Sequence, residues 1–434
     1  MTVTFPEPVG RVTDDSREAD AKSAFLATEL NKAHWQEAQA RGARMIGASA
    51  LIDALGLRPM EVVGVTGTNG KTTTAAAIYS ILLDLGYDAA LQGTRGFFIK
   101  DEKVEEKSLT TPPALTTIHH MFRAKEAGVE FFVMEVSSHA IAQNRIDGIE
   151  FSLKVHTNVT SDHLDYHGTV ENYRAIKSSF FQDESRKLIN RDENVLTFNP
   201  KNAYGYGLEN PATYKVMAYT LAGGVSGVLK HFETVVPFET ALQGHFNLYN
   251  VTAAIAAVHL LTDEDLGEIC EMAENFGGVA GRMERVSEDP LIIVDFAHTE
   301  DGIRQVLDSL KEKELRVVFG AGGDRDRSKR PKMGAAAASM AKKIYLTSDN
   351  PRSEDPRAII EEIAAGVEDK RKIEKIVDRR AAIEKAIAEL QPGEALLVLG
   401  KGDETHQQIG EEKIPFDDRA VIREILSRRN PFDD

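Results

Sequence analysis

Between Glu61 and about Ala280, short apolar runs bounded by polar turns alternate with helical stretches. That pattern predicts a parallel sheet with crossover helices. The run Val62 to Val65 breaks into a glycine-bearing turn and is followed by the small residues Ala75 to Ala77, which reads as buried strand, tight loop and helix start. Glu130 to Val136 is a second buried strand, interrupted by Glu135, and Val155 to Val159 repeats the arrangement. Glu171 to Phe181 reads as a helix, and residues 190 to 240 are strand-rich. Beyond Gly281-Arg282-Met283-Glu284, apolar runs at Leu291 to Val294, Val317 to Phe319, Ile344 to Leu346 and Leu396 to Leu399 each end in a polar loop, as in a doubly wound sheet. The expected fold class is α/β in three domains: a small, shortened N-terminal module over 1–60, a central parallel-sheet domain over 61–281, and a Rossmann-like domain over 282–434.

The first turn carries chemistry. In GTNGKTT, Gly67 and Gly70 let backbone N–H groups approach a phosphate, Lys71 reaches the outer phosphates, and Thr72 carries the hydroxyl usually set on Mg²⁺. Val65 stands where the longer phosphate-loop pattern has glycine, so the match is to G-x-x-G-K-T. ATP or GTP is the expected ligand. Glu135, near a strand end, is either a Mg²⁺ ligand or a structurally paired carboxylate. His163, in the loop after Val159, is either a metal ligand or a hydrogen-bonding residue. Lys177 reads as a solvated helix lysine. Asn247 and Asn250, three apart at a helix start, either cap the helix or contact a base or ribose. The C-terminal strand-end loops hold charges of both signs, which suits a zwitterion.

Composition narrows the partners. Over 434 residues the net charge is −16, which disfavours nucleic acid. The single cysteine, Cys270, excludes an intramolecular disulfide and a cysteine-rich zinc site. The first ten residues lack basic and apolar signal regions, and no run is long enough for a membrane span. A cytoplasmic monomer acting on small molecules is expected.

With GTNGKTT, EVSSH, TNVTSDHLDYHG, HFNLYN, GRME and DFAH in this order, the chain resembles the Mur ligase family over nearly its whole length. Asp349-Asn350-Pro351-Arg352 resembles the signature of the MurE branch that adds meso-diaminopimelate to UDP-MurNAc-L-Ala-D-Glu. The resemblance implies an ADP-forming amide ligase of peptidoglycan synthesis, working through an acyl phosphate with ATP and Mg²⁺. It implies ATP contacts from Gly67, Thr68, Asn69, Gly70, Lys71, Thr72, Thr73, Asn247, Asn250, Arg282 and Asp295. Thr72, Glu135, His163 and Lys177 would hold metal, the lysine as a carbamate formed with CO₂; Lys71, Glu135, His163 and Lys177 would form the catalytic set. Ser16, Thr110, Thr111, Ser137, Gln143 and Arg145 would contact the UDP-sugar dipeptide. Arg325, Asp349, Asn350, Pro351, Arg352, Gly400 and Glu404 would take diaminopimelate, the guanidinium fork suiting a carboxylate and Glu404 an ammonium.

The chain departs from the family pattern in places. Its N-terminal module is short, Leu109 precedes the Thr-Thr pair, Asp403 replaces a histidine in GKGDE, and DFAHTED lacks a proline. The alternatives are an L-lysine-adding relative, disfavoured by Arg352, a folate polyglutamate ligase, disfavoured by DNPR and GKGDE together, and a P-loop NTPase without ligase activity.

Overall fold

The computed structural model describes residues 1–106, 109–160 and 162–429. Ser161 of the histidine-bearing loop lies outside the described residues. Among the described residues the strands fall in four sheets. Seven parallel strands form the middle of the largest, in the spatial order Tyr214–Thr220, Ala203–Gly207, Lys187–Asn190, Leu153–His156, Glu61–Thr66, Phe131–Glu135 and Ala89–Gly93. The inner strands are buried along nearly their whole length, which is why they read as continuous apolar runs. The sheet is mixed rather than wholly parallel, because antiparallel strands extend it at both edges. Val225–His231 and Thr234–Thr240 continue one side, and Gly96–Ile99 with Glu102–Glu105 the other. Short turns close such hairpins without a crossover helix.

Helices Lys71–Asp84 and His245–Leu261 cover one face of this sheet and share one apolar cluster with its strands. The opposite face packs against Ala114–Glu126 and also takes in Val3, Phe5, Val12 and Leu26 of the small N-terminal sheet. That sheet, Thr2–Thr4, Arg11–Thr13, Ser23–Ala27 and Arg44–Gly47, therefore shares a core with the central one instead of standing apart.

In the C-terminal part, Leu291–Asp295, Glu394–Leu399, Glu314–Phe319, Ala341–Leu346 and Ile373–Lys375 run parallel in that order, with Glu284–Glu288 antiparallel at the edge. The carboxyl ends of these strands face the carboxyl end of Glu61–Thr66 across one cleft, to which both sheets contribute lining residues. A small hairpin, His406–Ile409 with Glu412–Pro415, flanks that cleft.

Candidate active site

Strand Glu61–Thr66 ends in a loop that wraps tightly on its neighbours. Gly70 precedes helix Lys71–Asp84 with φ of +82°, and a Cβ there would strike the carboxamide oxygen of Asn250, so glycine is required twice over. Lys71 folds back to donate to the carbonyls of Gly67 and Thr68, both at 2.9 Å, and burial lowers its pKa. The Thr68 hydroxyl meets Tyr173 at 2.9 Å, and Asn69 donates its backbone N–H to Asn158 Oδ1 at 2.9 Å. Thr73 lines the cleft beside Thr72.

Asn247 and Asn250 do not cap their helix. Gly244 occupies that position, and both asparagines are buried within the first turns. Asn250 donates to Asn247 Oδ1 at 2.9 Å and accepts from Thr74, and Asn247 donates to the Gln243 carbonyl at 2.7 Å. Asn250 reaches the cleft and Asn247 supports it. On the facing side, the Arg282 guanidinium lies 4.4 Å over the Phe296 ring. Asp295 accepts from the N–H groups of Met283 and Ala297 at 2.7 Å, while burial pushes its carboxyl pKa up.

Glu135 is buried and accepts from the Thr72 hydroxyl at 2.9 Å and the Thr94 N–H at 2.7 Å. Among the described residues no group of three or more His, Cys, Asp or Glu side chains converges as a metal site. Mg²⁺ does not need one, since it is commonly held by one or two carboxylates or hydroxyls together with phosphate oxygens and water. Thr72 and Glu135, paired at the head of the phosphate loop, fit that mode. His163 stands on the same cleft with φ of +52°, its Nε2 3.4 Å from Asp162. Desolvation there pulls its pKa down to about 4, although Asp162 opposes the shift.

Lys177 is not a solvated helix lysine. It is buried, 1% exposed, with Nζ 2.9 Å from the Gly67 carbonyl and 3.3 Å from Thr66 Oγ1. Burial first, and the nearby Lys71 charge second, lower its pKa well below that of a free lysine. It stands behind the phosphate loop and does not line the cleft with Thr72, Glu135 and His163.

The C-terminal loops meet the cleft from the other side. Asn350 donates to Glu404 at 2.7 Å, and Lys401, wholly buried, donates to Asn350 Oδ1, Glu404 and the His406 carbonyl. Arg352, in the left-handed region with φ of +50°, donates to the Gly323 carbonyl at 2.7 Å. Gly400 has φ of +107°, and a Cβ there would press on the Asp349 carboxylate at 2.5 Å. Asp349 is buried and its pKa is raised by desolvation, against the pull of Arg379 and Lys401. Arg325 lines the cleft with these residues, whereas Pro351 shapes the loop without facing it.

The Mur ligase middle-domain model matches residues 65–258, and the Mur ligase glutamate-ligase-domain model matches residues 281–402. The chain belongs to the Mur ligase family. A relative from Wolinella succinogenes named UDP-N-acetylmuramoyl-L-alanyl-D-glutamate--2,6-diaminopimelate ligase is 55% identical over 96% of each chain. One of the same name from Helicobacter hepaticus is 50% identical, covering 95% of this chain and 92% of its own. A solved structure bearing that enzyme name superposes with a TM-score of 0.67 at 30% identity, covering 99% of this chain and all of the other. A Mycobacterium tuberculosis folylpolyglutamate synthase shares the fold with a TM-score of 0.67 at 18% identity, over 81% of this chain and 91% of its own.

In this member of the Mur ligase family a second cavity lies between the N-terminal sheet and the central one. It gathers Ser16, Gln143 and Arg145, with Arg17, Asn31 and His34. Thr110 faces the main cleft instead, its hydroxyl 3.1 Å from that of Thr94. Thr111, wholly buried, and Ser137 line neither cavity, and Thr111 bonds to residues of both. The Thr111 hydroxyl donates to the Glu135 carbonyl at 2.8 Å and accepts from the Ser137 N–H, and Arg145 donates to the Thr111 carbonyl at 2.7 Å.

Several cleft residues carry no mark in the sequence. Thr94 anchors Glu135, yet it sits at a hairpin turn that no motif signals. Asp162 and His298 face one another across the cleft. Lys401, buried behind the cleft lining, ties Asn350 to Glu404. His298 and Lys401 lie inside the strings DFAH and GKGDE, so their neighbours were the available signal.

Proposed function

We propose that this chain joins meso-diaminopimelate to the D-glutamate of UDP-MurNAc-L-Ala-D-Glu, with cleavage of ATP to ADP and phosphate. The observation that carries the reading is the meeting of the phosphate loop and the Asn350–Arg352 loop on one cleft of roughly 680 Å³, in a chain 55% identical to a relative of that name.

The UDP-sugar dipeptide lies in the cavity of Ser16, Gln143 and Arg145, and its D-glutamate end passes Thr110 into the cleft, with Thr111 buried beneath. The γ-phosphate of ATP displaces the Gly67 and Thr68 carbonyls from Lys71, which then stabilises the charge of phosphoryl transfer. Thr72 and Glu135, with His163, would hold Mg²⁺, which would supply neutralisation of phosphate charge. The substrate carboxylate attacks the γ-phosphorus and ADP leaves; the acceptor amine then attacks the acyl carbon, and phosphate leaves with loss of an amine proton. Arg352 and Arg325 take acceptor carboxylates, while Asp349 and Glu404 face the distal ammonium. Asn250, Arg282 and Asp295 flank the nucleotide. The apposition of the two sheets keeps water from the acyl phosphate.

Lys177 carries a carbamate in this reading. Its suppressed ammonium leaves the amine lone pair free for CO₂, and the product presents oxygen donors near the loop that Mg²⁺ would share. No helix among the described residues is long and apolar enough to cross a membrane, and dependence on ATP is consistent with a cytoplasmic enzyme.

The test is phosphate release with ATP, Mg²⁺ and UDP-MurNAc-L-Ala-D-Glu, comparing meso-diaminopimelate, L-lysine and no acceptor. Release only with diaminopimelate is expected. Equal release with lysine would overturn the acceptor assignment, and equal release with no acceptor would identify an NTPase.

A further inference from the structure

Behind the phosphate loop lies a polar residue for which the reaction as described has no use. His156, the last residue of strand Leu153–His156, is completely buried, and neither Nδ1 nor Nε2 has a hydrogen-bond partner. Arg330 and Arg379 each leave one guanidinium nitrogen unpaired but are bonded through the others. For His156 the whole imidazole is unsatisfied. An unmade hydrogen bond in the interior is costly, and its persistence calls for a partner.

The surroundings indicate where that partner would be. His156 is in register with Thr66 on the adjacent parallel strand, so the two side chains project to the same face of the sheet. Thr66 Oγ1 is 3.3 Å from Lys177 Nζ. Phe181, just beyond the helix that carries Lys177, meets the His156 ring edge-on at 6.0 Å. Strand, helix and the turn after it thus pack around both His156 and Lys177 in one buried region. The hydrogen bonds the lysine makes go to Gly67 and Thr66, and none reaches His156.

We propose that His156 is a positioning residue whose ring N–H donates to a carbamate on Lys177 and holds it in place. This rests on the assignment of a carbamate to Lys177. Forming the group joins the Lys177 nitrogen to the carbon of CO₂. One C=O electron pair moves onto oxygen, and one amine proton leaves to solvent. The buried region gains an anionic acceptor, and the remaining N–H still serves the Gly67 carbonyl. One carbamate oxygen satisfies the imidazole, which fixes the orientation of the other.

The experiment is ¹³C NMR of the full-length enzyme in ¹³C-bicarbonate, titrating carbamate signal against dissolved CO₂. The variants are Lys177→Ala, His156→Phe and His156→Gln, with thermal unfolding recorded for each. Wild type should show the signal and Lys177→Ala should not. His156→Phe keeps ring volume without a donor, and should need about tenfold more CO₂ for equal occupancy, the worth of one charge-assisted hydrogen bond. His156→Gln restores an N–H and should recover much of the loss. If His156 were only a core residue, removing two unpaired nitrogens would leave the carbamate titration unchanged, and that result overturns the proposal while the carbamate stands. Equal loss in the Phe and Gln variants also overturns it. A wild-type enzyme without the signal removes both the carbamate and the role of His156.

Discussion

The two walls of the main cleft are built on different principles. On the phosphate-loop side the working surface is backbone. Gly70 is locked by Asn250, and Lys71 rests on two carbonyls of its own loop. On the acceptor side it is charge, with Lys401, Asn350 and Glu404 already bound to one another and Asp349 held close beside them. A triphosphate is a dense anion that any correctly curved set of N–H groups and one lysine can hold. A zwitterionic amino acid must be told from its analogues, and that takes side chains of both signs at fixed positions. In the proposed reaction the first wall supplies catalysis and the second selectivity.

That division can be broken most severely at Lys71. Lys71→Ala should lower kcat by about a thousandfold or more, the scale for removing a principal charge-stabilising donor in phosphoryl transfer, while acceptor binding measured by calorimetry stays close to wild type. On the other wall, Arg352→Ala should raise the KM for diaminopimelate by about a hundredfold, from loss of a bidentate guanidinium–carboxylate pair of about 3 kcal/mol. The KM for ATP should hardly move. A comparable rise in both would show that the two walls are not independent.

A smaller effect is expected where the walls touch. Asp301 of the C-terminal part accepts from Asn69 of the phosphate loop at 2.7 Å and from Thr160 at 3.3 Å. Asp301→Ala leaves those donors without this acceptor and should raise the KM for ATP by about five- to tenfold, one or two hydrogen bonds' worth. Steady-state kinetics with ATP varied at saturating acceptor would read it.

The mildest test uses pH. Burial raises the Asp349 pKa, so its carboxyl group takes up a proton at higher pH than a free aspartate does. The neutral acid cannot attract an ammonium. Acceptor KM should accordingly rise as pH falls through that raised value, with ATP KM flat over the same window. Asp349→Asn should flatten the acceptor profile at a uniformly higher KM. A pH dependence that survives the substitution would assign it to another group.

Much of the phosphate-loop wall was legible because its constraints are local. Glycine where φ is positive, lysine and threonine next in line, and small residues in the helix behind them are all consequences of one strand–turn–helix unit. The paired charges of the acceptor wall were legible as loops but not as bonds. Glu404 is expected to meet an ammonium of the amino acid, yet it already accepts from Lys401 at 3.0 Å. Lys177 illustrates the same limit. Helix Val170–Ser179 carries charged residues, so its lysine reads as solvated, and only the packing of that helix against the phosphate loop buries it. The antiparallel edges of the central sheet were also out of reach, because hairpins and crossovers can use similar apolar runs.

By itself the sequence determined the features set by near neighbours: the alternation of strands and helices, the phosphate loop, and the polar loops at the ends of the C-terminal strands. These depend on backbone conformation and hydrophobic periodicity within a few residues, so they are written locally. Tertiary structure alone decided which of those loops share a cleft, how Glu135 meets Thr72 across 63 positions, and which ionisable side chains lose their water. Burial and pairing are properties of the packed chain. The same lysine is a solvated cation or a desolvated amine according to what folds over it.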